Sequence, residues 1–372
     1  MNSNERNKLL FTPGPLTTSR SVKETMLHDF GSRDSVFVEK IRSIRSDLLG
    51  LAGVSQESGY EAVLLQGAGT YALEAVVSCA IPKNGHLLLV INGAYGQRLK
   101  KIAAIHQIKT TELAYQENEA PRVEDVKFAL ESDDSITHVS IVHCETTTGI
   151  FNDIEAIGHV VASFHKEYIV DAMSSFGAVP IDFAACHIDY LVSSANKCIE
   201  GVPGFSFIIA RKSCLQKTKG QSRTLSLDIF DQWEGLEQNG QFRFTPPTHT
   251  IIAFHQAIAE LLEEGGVAGR AKRYQENHAL LVKGMRELEF KEYLEPHQQG
   301  YIICSFLYPS DPLFNFNEFY RKLNDRGFVI YPGKLSHADC FRIGTIGKIY
   351  PDDICALLKA VESVIEEMQI TQ

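Results

Sequence analysis

Two short β-branched runs, each leading to a single charged residue, constrain the fold more than any other feature of this chain. The first run, Tyr168–Val170, ends at Asp171, and the second, Ile188–Val192, leads through small and polar residues to Lys197. In an open α/β sheet, ligands bind outside the carboxyl ends of the strands. The sequence therefore predicts that Asp171 and Lys197 lie in one crevice, although 197 − 171 = 26 positions separate them.

A lysine and a carboxylate placed in this way suit pyridoxal phosphate. That cofactor needs a lysine to hold its aldehyde as a Schiff base and a carboxylate to keep its pyridine nitrogen protonated, which makes the ring an electron sink. The plainer alternative is that Asp171 caps the next turn and that Lys197 is a solvated charge at a strand end, because single charged residues usually lie at the surface. The two residues alone leave both interpretations open.

The composition predicts a protein with room for two domains and without a surface for nucleic acid. The 372 residues are 44% hydrophobic and 22% charged, with a net charge of −10, whereas a nucleic-acid surface needs a basic face. No apolar run reaches the roughly 18 residues of a membrane helix, and the polar start lacks the apolar core of a signal peptide. These features predict a cytoplasmic protein with no membrane partner. The eight cysteines are scattered without metal-site spacing, so no metal is expected.

A glycine turn between a strand and a helix is the second candidate for ligand binding. The strand Ala62–Gln66 is followed by Gly67–Thr70, which reads Gly-Ala-Gly-Thr, and then by a helix rich in alanine and valine. Such a turn presents backbone N–H groups and a helix N-terminus to a phosphate. The turn also fits the dinucleotide-binding pattern G-x-G-x-x-A, but the next strand, His86–Ile91, ends in Asn-Gly and lacks the acid that would bind a ribose. A nicotinamide-dependent dehydrogenase is therefore an alternative with less support.

Strands that alternate with helices predict an α/β fold with a mainly parallel, doubly wound sheet. Further strands are expected at His138–His143 and Ser206–Ala210, with helical segments such as Ile154–Lys166 between them. The polar stretch 216–241 is expected to be irregular, and after it two long helices precede a smaller α+β region. The predicted domains are an N-terminal arm at 1–18, a large domain at 19–260 and a small C-terminal domain at 261–372.

Three more segments carry candidate site residues. Tyr95 follows a strand in a glycine-rich loop, where its ring could stack on a planar ligand or simply pack in the core. The extended stretch Phe242–Thr245, which stops at a double proline, is a candidate to cross into a neighbouring subunit. Arg342 alternates with apolar residues on a strand and so points opposite to them, which suits it to bind an acidic group. A salt bridge between domains is the alternative for Arg342.

Taken together, the motifs resemble the class V aminotransferases of fold-type I, which depend on pyridoxal phosphate. The matching stretches span nearly the whole chain in the expected order: Phe11–Ser19, Leu65–Tyr71, Asn92–Gly96, His143–Gly149, Val170–Gly177, Ser193–Cys198 with Gly201–Gly204, Arg243–Thr245 with Thr248–Thr250, and Phe328–Lys334 with Phe341–Gly344. Within this family the chain resembles, more narrowly, the members that use 2-aminoethylphosphonate and pyruvate. The resemblance implies the fold described above and a homodimer.

The resemblance also implies roles for individual residues. It makes Lys197 the Schiff-base lysine and Asp171 the partner of the pyridine nitrogen, both of them catalytic. Arg342 would bind the acidic end of each substrate, and the cofactor would be bound further by Ala68, Gly69, Thr70, Tyr95, Thr147 and, from the other subunit, Thr245. The family often has serine where this chain has Ala68, so here only the backbone N–H can serve. Spacing does not reveal which residue selects phosphonate over carboxylate, and Arg223 is one candidate.

The implied reaction transfers the amino group of 2-aminoethylphosphonate to pyruvate and gives phosphonoacetaldehyde and L-alanine, a step of phosphonate catabolism. An aminotransferase of the same fold that uses alanine, serine or glyoxylate stays open. A cysteine desulfurase-type lyase has less support, because such lyases usually have histidine before the lysine, where this chain has Asn196, and because Cys340 lies in an apolar strand. The presence of both Asp171 and Lys197 disfavours a protein that binds the cofactor without catalysis.

Overall fold

A computed structural model describes residues 8–335 and 338–370 of the chain. Its strands are β1 (Leu9–Leu10), β2 (Tyr60–Gln66), β3 (His86–Ile91), β4 (Lys109–Ala114), β5 (His138–Val142), β6 (Cys144–Glu145), β7 (Ile150–Phe151), β8 (Glu167–Asp171), β9 (Tyr190–Ser194), β10 (Phe205–Arg211), β11 (Ile303–Leu307), β12 (Phe328–Val329), β13 (Tyr331–Pro332) and β14 (Cys340–Gly344). Its α-helices are α1 (Arg20–Glu24), α2 (Ser35–Leu51), α3 (Gly69–Ala80), α4 (Ala94–Ile105), α5 (Val123–Ser132), α6 (Ile154–Ser163), α7 (Lys212–Lys217), α8 (Ile229–Asn239), α9 (Thr248–Glu263), α10 (Gly266–Glu287), α11 (Phe316–Asp325) and α12 (Pro351–Met368).

Seven strands form the central sheet, in the order β2-β10-β9-β8-β5-β3-β4. The strands β4, β3, β5, β8 and β9 pair in parallel, whereas β10 runs against both of its neighbours. The strand β3 reads His-Leu-Leu-Leu-Val-Ile and is buried along its whole length, which is typical of parallel strands covered by helices on both faces. The predicted α/β fold with a mainly parallel sheet is confirmed.

Parallel pairing brings the ends of several strands to one edge of this sheet. The last residue of β8 is Asp171, which pairs in register with Val142 on β5 and Val192 on β9. Because β10 is antiparallel to both β2 and β9, the strand β2 points the same way as β9 and its end also lies at this edge. The edge therefore collects Asp171, the glycine turn after β2 and the segment that carries Lys197.

A second apolar core surrounds the antiparallel sheet β11-β14-β13. It includes residues from β11, β14, α11 and α12, such as Phe306, Phe341, Phe319 and Val361, together with Phe11 from the start of the chain. The arm is attached here because β1 pairs in parallel with β12. The larger core ends at Leu261 in sequence. This change of core supports the proposed boundaries at 1–18, 19–260 and 261–372, which stay a proposal.

The expectation that 216–241 is irregular is wrong, because this stretch contains the helix α8. The Asp228 side chain accepts hydrogen bonds from the N–H groups of Phe230 and Asp231 and so begins the helix. Its apolar residues Ile229, Trp233 and Leu236 recur at helical spacing and are buried. The many polar residues between them conceal this pattern in the composition.

Within the described residues, no helix is long and apolar enough to span a membrane.

Candidate active site

The two charged residues at the strand ends lie on neighbouring strands at the same edge of the sheet. Asp171 is the last residue of β8, and Lys197 follows β9, which pairs with β8 in parallel. Asp171 is only 1% exposed, and its Oδ1 accepts a hydrogen bond of 2.9 Å from the N–H of Met173. The two side chains are close enough for the charge of each to shift the pKa of the other.

Burial dominates the protonation of both groups. Burial raises the pKa of the Asp171 carboxyl to about 6, although the hydrogen bond from Met173 and the positive charges of Arg98 and Lys197 act in the opposite direction. Burial likewise lowers the pKa of Lys197, against the opposing influence of Tyr95 and other neighbours. Each shift favours the neutral form of its group, because a charge loses hydration in the interior.

The N-terminal arm covers Lys197. The Lys197 ammonium donates a hydrogen bond of 2.8 Å to the carbonyl oxygen of Pro13. A Cβ added at Gly14 would lie 2.8 Å from Cδ and 2.9 Å from Nζ of Lys197, and Gly14 has a φ of 110°, which favours glycine. The arm can therefore lie directly against the lysine only because residue 14 has no side chain.

The glycine turn presents the N-terminus of α3. The preceding residue, Ala68, contributes no side-chain cap to this helix, and the first N–H groups of any helix lack acceptors within it and carry partial positive charge. A Cβ at Gly69 would lie 2.0 Å from Sδ of Met173, so the close approach of these segments requires glycine. The Thr70 hydroxyl accepts a hydrogen bond of 3.0 Å from Arg98. The turn thus combines helix N–H groups with a cation, which suits a phosphate.

Cations surround the Tyr95 side chain, which lies in the first turn of α4. The Arg98 guanidinium carbon is 4.8 Å from the centre of the Tyr95 ring, and the Lys334 ammonium is 4.7 Å from it. Tyr95 also influences the pKa of Lys197 and of Arg342, so it lies near both the lysine and the arginine that were singled out from the sequence. Its role in stacking on a cofactor stays a prediction.

Arg342 is buried on β14 and held by the backbone. Its Nε donates to the carbonyl oxygen of Pro332 at 3.0 Å, and its Nη1 donates to that of Thr146 at 2.9 Å. Burial lowers its pKa, while Tyr95 and other neighbours raise it. An arginine has five N–H donors in a planar fork. The two backbone carbonyl groups fix the plane of this fork. Neither of them is charged, so neither neutralises the positive charge of Arg342.

Glu145 is a buried acid at this site that was not predicted from the sequence. It accepts a hydrogen bond of 2.6 Å from the Thr147 hydroxyl and bonds of 3.1 and 3.3 Å from the N–H groups of Tyr95 and Gly96. It therefore caps α4, the helix that carries Tyr95. Burial raises the pKa of Glu145 to about 7, although these hydrogen bonds lower it.

The Thr147 hydroxyl takes part in this cap. It donates its hydrogen to Glu145 and accepts a hydrogen bond of 3.2 Å from the N–H of Ala94. Its predicted place beside the phenolic oxygen of a cofactor stays a prediction, and a hydrogen bond donated to that oxygen would require Thr147 to give up its bond to Glu145.

Two other residues considered from the sequence lie near opposite ends of α3. Thr245 is exposed, and its carbonyl oxygen and that of Phe244 accept hydrogen bonds of 3.3 and 2.8 Å from the Gln66 side chain, directly before the turn. Arg223 instead donates bonds of 2.8 and 2.7 Å to the carbonyl oxygens of Ser78 and Ile81. These bonds hold its guanidinium at the end of α3, and the suggestion that Arg223 selects phosphonate stays a prediction.

Comparison with known proteins identifies the family. The family model described as aminotransferase class-V matches residues 17–334, which is most of the chain. The chain belongs to the class-V aminotransferases. The resemblance inferred from the sequence motifs is confirmed, and so is the enzyme class.

Individual relatives of this aminotransferase match it over nearly its full length. It is 51% identical over 362 residues to the 2-aminoethylphosphonate--pyruvate transaminase of Salmonella paratyphi C, covering 97% of this chain and 98% of that protein. The protein of the same name from Salmonella typhimurium matches with the same identity and coverage.

Solved structures of aminotransferases share the fold. The pyridoxamine-pyruvate aminotransferase of Mesorhizobium loti superposes with a TM-score of 0.90 at 22% identity, over 99% of this chain and 94% of that one. The alanine--glyoxylate aminotransferase of Nostoc sp. gives 0.89 at 22% identity, over 98% and 97% of the two chains. At this level of identity the likeness concerns the fold alone.

Pyridoxal phosphate is the cofactor of this aminotransferase family, which confirms the cofactor predicted from the sequence. The chemistry at the sheet edge fits it. The structure offers an amine at Lys197 for the aldehyde, a buried carboxylate at Asp171 for the ring nitrogen, and the N-terminus of α3 for the phosphate. The assignment of each residue to its role stays a proposal.

A buried ionic network, not foreseen from the sequence, supports the Lys197 segment in this aminotransferase. Glu200 accepts hydrogen bonds of 2.7 Å from Arg273 and 2.6 Å from the Tyr274 hydroxyl, and Arg270, which is fully buried, donates to the carbonyl oxygen of Cys198. These partners lie on α10. The network therefore fixes the residues directly after Lys197 to that helix, although more than seventy positions separate them along the chain.

The pKa of Asp171 gives a test that is independent of catalysis. Between pH 4 and 6 the folded, cofactor-free protein holds a proton on Asp171 that the unfolded chain has lost, so this group lowers the free energy of unfolding as pH rises. A rise in the pKa of Asp171 from its ordinary value of 3.8 to about 6 corresponds to a change in the free energy of unfolding of at most about 3 kcal/mol. Urea unfolding of the wild type and of Asp171→Asn should show the wild type losing stability relative to the variant across this range.

The matched control is Asp352→Asn, because Asp352 is exposed on α12. Its stability difference from the wild type should change little with pH. A difference between the wild type and Asp171→Asn that stays constant from pH 4 to 7 would contradict the raised pKa.

Proposed function

We propose that this aminotransferase transfers the amino group of 2-aminoethylphosphonate to pyruvate, giving phosphonoacetaldehyde and L-alanine in the degradation of phosphonates. The observation that carries the proposal is 51% identity over 97% of the chain to transaminases named for this reaction. The cations around Tyr95 and the buried Arg342 support it, because both substrates end in an acidic group. The cytoplasmic location predicted from the sequence stays a prediction.

The cofactor would be held at three points of the site. The Lys197 amine would bind the aldehyde, the Asp171 carboxylate would pair with the ring nitrogen, and the N–H groups of Ala68, Gly69 and Thr70 would bind the phosphate. When bound, pyridoxal phosphate supplies an electron sink for the negative charge that develops on the carbon bearing the amino group. Asp171 stabilises that state because its negative charge keeps the neighbouring ring nitrogen protonated.

Lys197 is the residue that would move the proton. Removal of a proton from the carbon bearing the amino group requires a neutral amine, and burial lowers the pKa of Lys197 and so favours that form. The carbonyl oxygen of Pro13 fixes the position of the amine at 2.8 Å. The arm at Pro13 and Gly14 also limits the access of water to it. Lys197 and Asp171 are therefore the proposed catalytic residues.

Arg342 is the proposed receptor for the acidic end of each substrate. Its guanidinium is buried and oriented by two backbone carbonyl groups, at Pro332 and Thr146. Neither acceptor carries a charge, so the cation can pair with a carboxylate or a phosphonate oxygen. The same arginine would serve pyruvate and 2-aminoethylphosphonate in turn.

We also propose that the enzyme is a homodimer and that the stretch Phe242–Thr245 lies at the interface. Three large apolar side chains are exposed on or near this stretch, with exposed fractions of 54% for Tyr71, 75% for Leu225 and 45% for Phe244. The Arg243 side chain donates to the carbonyl oxygen of Leu225 at 3.1 Å and so joins two of these segments. Apolar groups beside a candidate active site favour burial against another subunit. Thr245 would then reach the cofactor phosphate that is bound in the other subunit.

Charge substitution at this surface should dissociate the dimer. Phe244→Glu is expected to raise the dissociation constant at least about tenfold, since burying an unpaired carboxylate in an interface costs more than about 1.4 kcal/mol. Sedimentation velocity over a range of protein concentrations measures this change. The control Phe128→Glu alters an aromatic that is 70% exposed on α5 and should leave the mass unchanged. A wild type that sediments as a monomer at all concentrations would contradict the dimer.

A panel of amino donors tests the proposed reaction. The purified enzyme with pyridoxal phosphate and pyruvate should form alanine fastest from 2-aminoethylphosphonate, and much more slowly from serine or glycine, because only the phosphonate brings a second negative charge to the cations of the site. Chromatography of the alanine formed gives the rate, and Lys197→Ala serves as the inactive control. Serine used as well as the phosphonate would contradict the proposed substrate, whereas no alanine from any donor would contradict transamination of pyruvate.

A further inference from the structure

We propose that Lys334 is the residue that makes this site prefer a phosphonate to a carboxylate, by supplying the second positive charge that a doubly ionised phosphonate requires. The inference rests on the proposed function, because it concerns how the substrate of that reaction is chosen. Lys334 would contact the phosphonate group directly, next to Arg342.

The first support is the position of Lys334 beside Tyr95. Its ammonium is 4.7 Å from the centre of the Tyr95 ring, and Tyr95 is close enough to Arg342 and Lys197 to shift the pKa of both. The Tyr95 side chain is therefore close to three groups. These are the Lys334 ammonium, the proposed acid receptor Arg342 and the proposed catalytic residue Lys197. A substrate that spans from Lys197 to Arg342 would pass this ring.

The second support is the hairpin that carries both cations. The strands β13 and β14 pair so that Tyr331 faces Arg342, and the carbonyl oxygen of Pro332 accepts the bond from Nε of Arg342. The N–H of Gly333 donates to the carbonyl oxygen of Cys340 at 2.9 Å, which continues the pairing up to the residue before Lys334. The position of Lys334 is thus fixed relative to Arg342 through a short, hydrogen-bonded piece of backbone.

The third support is the cavity in front of α4, of about 830 Å³, which Lys334 lines together with the first turns of that helix. Its charged lining residues are Arg98, Lys101 and Lys334, and Glu117 and Glu119. Three positive and two negative side chains leave one net positive charge in this cavity. Lys334 is therefore accessible to a ligand from this cavity. Arg98 and Lys334 also both lie against the Tyr95 ring, so positive charge is concentrated beside that ring and favours an anion there.

The chemistry of the two substrates explains why a second cation is needed and why a lysine suits the role. A carboxylate carries one negative charge, which one arginine satisfies, whereas a phosphonate carries up to two and has three acceptor oxygens. The site must accept pyruvate as well, and the single charge of its carboxylate leaves the second cation without a partner. That cation must therefore not be permanently buried in the site, because a buried charge without a partner is costly. Lys334 is exposed and has a flexible stem, so its ammonium can stay in water when a carboxylate is bound.

The test compares the binding of two unreactive probes that differ only in the acid, ethylphosphonate and propionate. Calorimetric titration of the holoenzyme at a pH where the phosphonate is doubly ionised gives both dissociation constants. Lys334→Met should raise the constant for ethylphosphonate by roughly 10- to 100-fold, the range of one charge-assisted hydrogen bond. The constant for propionate should change by less than about threefold, which is within the effect of one exposed charge. Lys334→Arg should restore most of the preference for the phosphonate.

The matched control is Lys101→Met, which removes a positive charge from the same cavity six residues after Tyr95 on α4. It should leave the ratio of the two constants unchanged, whereas an equal effect of Lys101→Met and Lys334→Met would overturn the specific role of Lys334. A Lys334→Met enzyme that still prefers ethylphosphonate as strongly as the wild type would overturn it too.

Turnover separates this inference from the proposed function. In the Lys334→Met enzyme, kcat/KM should fall for 2-aminoethylphosphonate by a factor like that for ethylphosphonate binding, while kcat/KM for pyruvate should stay close to that of the wild type. A wild type that binds ethylphosphonate through Lys334 but does not use 2-aminoethylphosphonate as a donor would overturn the proposed function and support the inference. A wild type that uses this donor but binds both probes equally would overturn the inference alone.

Discussion

Two opposite charges that are withdrawn from water at the ends of adjacent parallel strands are the constraint on which the rest of this structure depends. Burial moves the pKa of Lys197 down and that of Asp171 up to about 6, so both charges are costly to keep in the protein. The cost is offset locally by the carbonyl oxygen of Pro13 and the N–H of Met173. A cofactor that bonds to the amine and brings a positive ring nitrogen to the carboxylate would relieve both groups at once.

Both halves of the chain converge on the lysine. The segment after Lys197 is fixed to α10 through the buried ionic network of Glu200, Arg270 and Arg273. The arm that covers Lys197 is anchored on the other core by the pairing of β1 with β12. The contact between Pro13 and Lys197 therefore joins an element of the C-terminal core to the central sheet.

The sequence predicts what depends on local patterns and misses what depends on distant contacts. Strand ends at Asp171 and Lys197 and the glycine turn were recognisable because hydrophobic runs and glycines mark them directly. Glu145 was not, because the N–H groups that it caps lie about fifty residues earlier in the chain, and no spacing rule connects them. The contacts of Arg223 were not foreseen for the same reason, since its acceptors at the end of α3 lie more than 140 positions away. The helix α8 was missed because its apolar face is short and set among polar residues.

The most direct test is to identify the lysine to which pyridoxal phosphate is attached in the holoenzyme. Reduction of the holoenzyme with borohydride fixes a pyridoxyl group on the lysine that held the cofactor, and mass spectrometry of a proteolytic digest identifies the modified peptide. We expect one pyridoxyl group per chain, on Lys197, and far less cofactor bound to Asp171→Asn at neutral pH. A pyridoxyl group on another lysine, or full cofactor binding by Lys197→Ala, would contradict it.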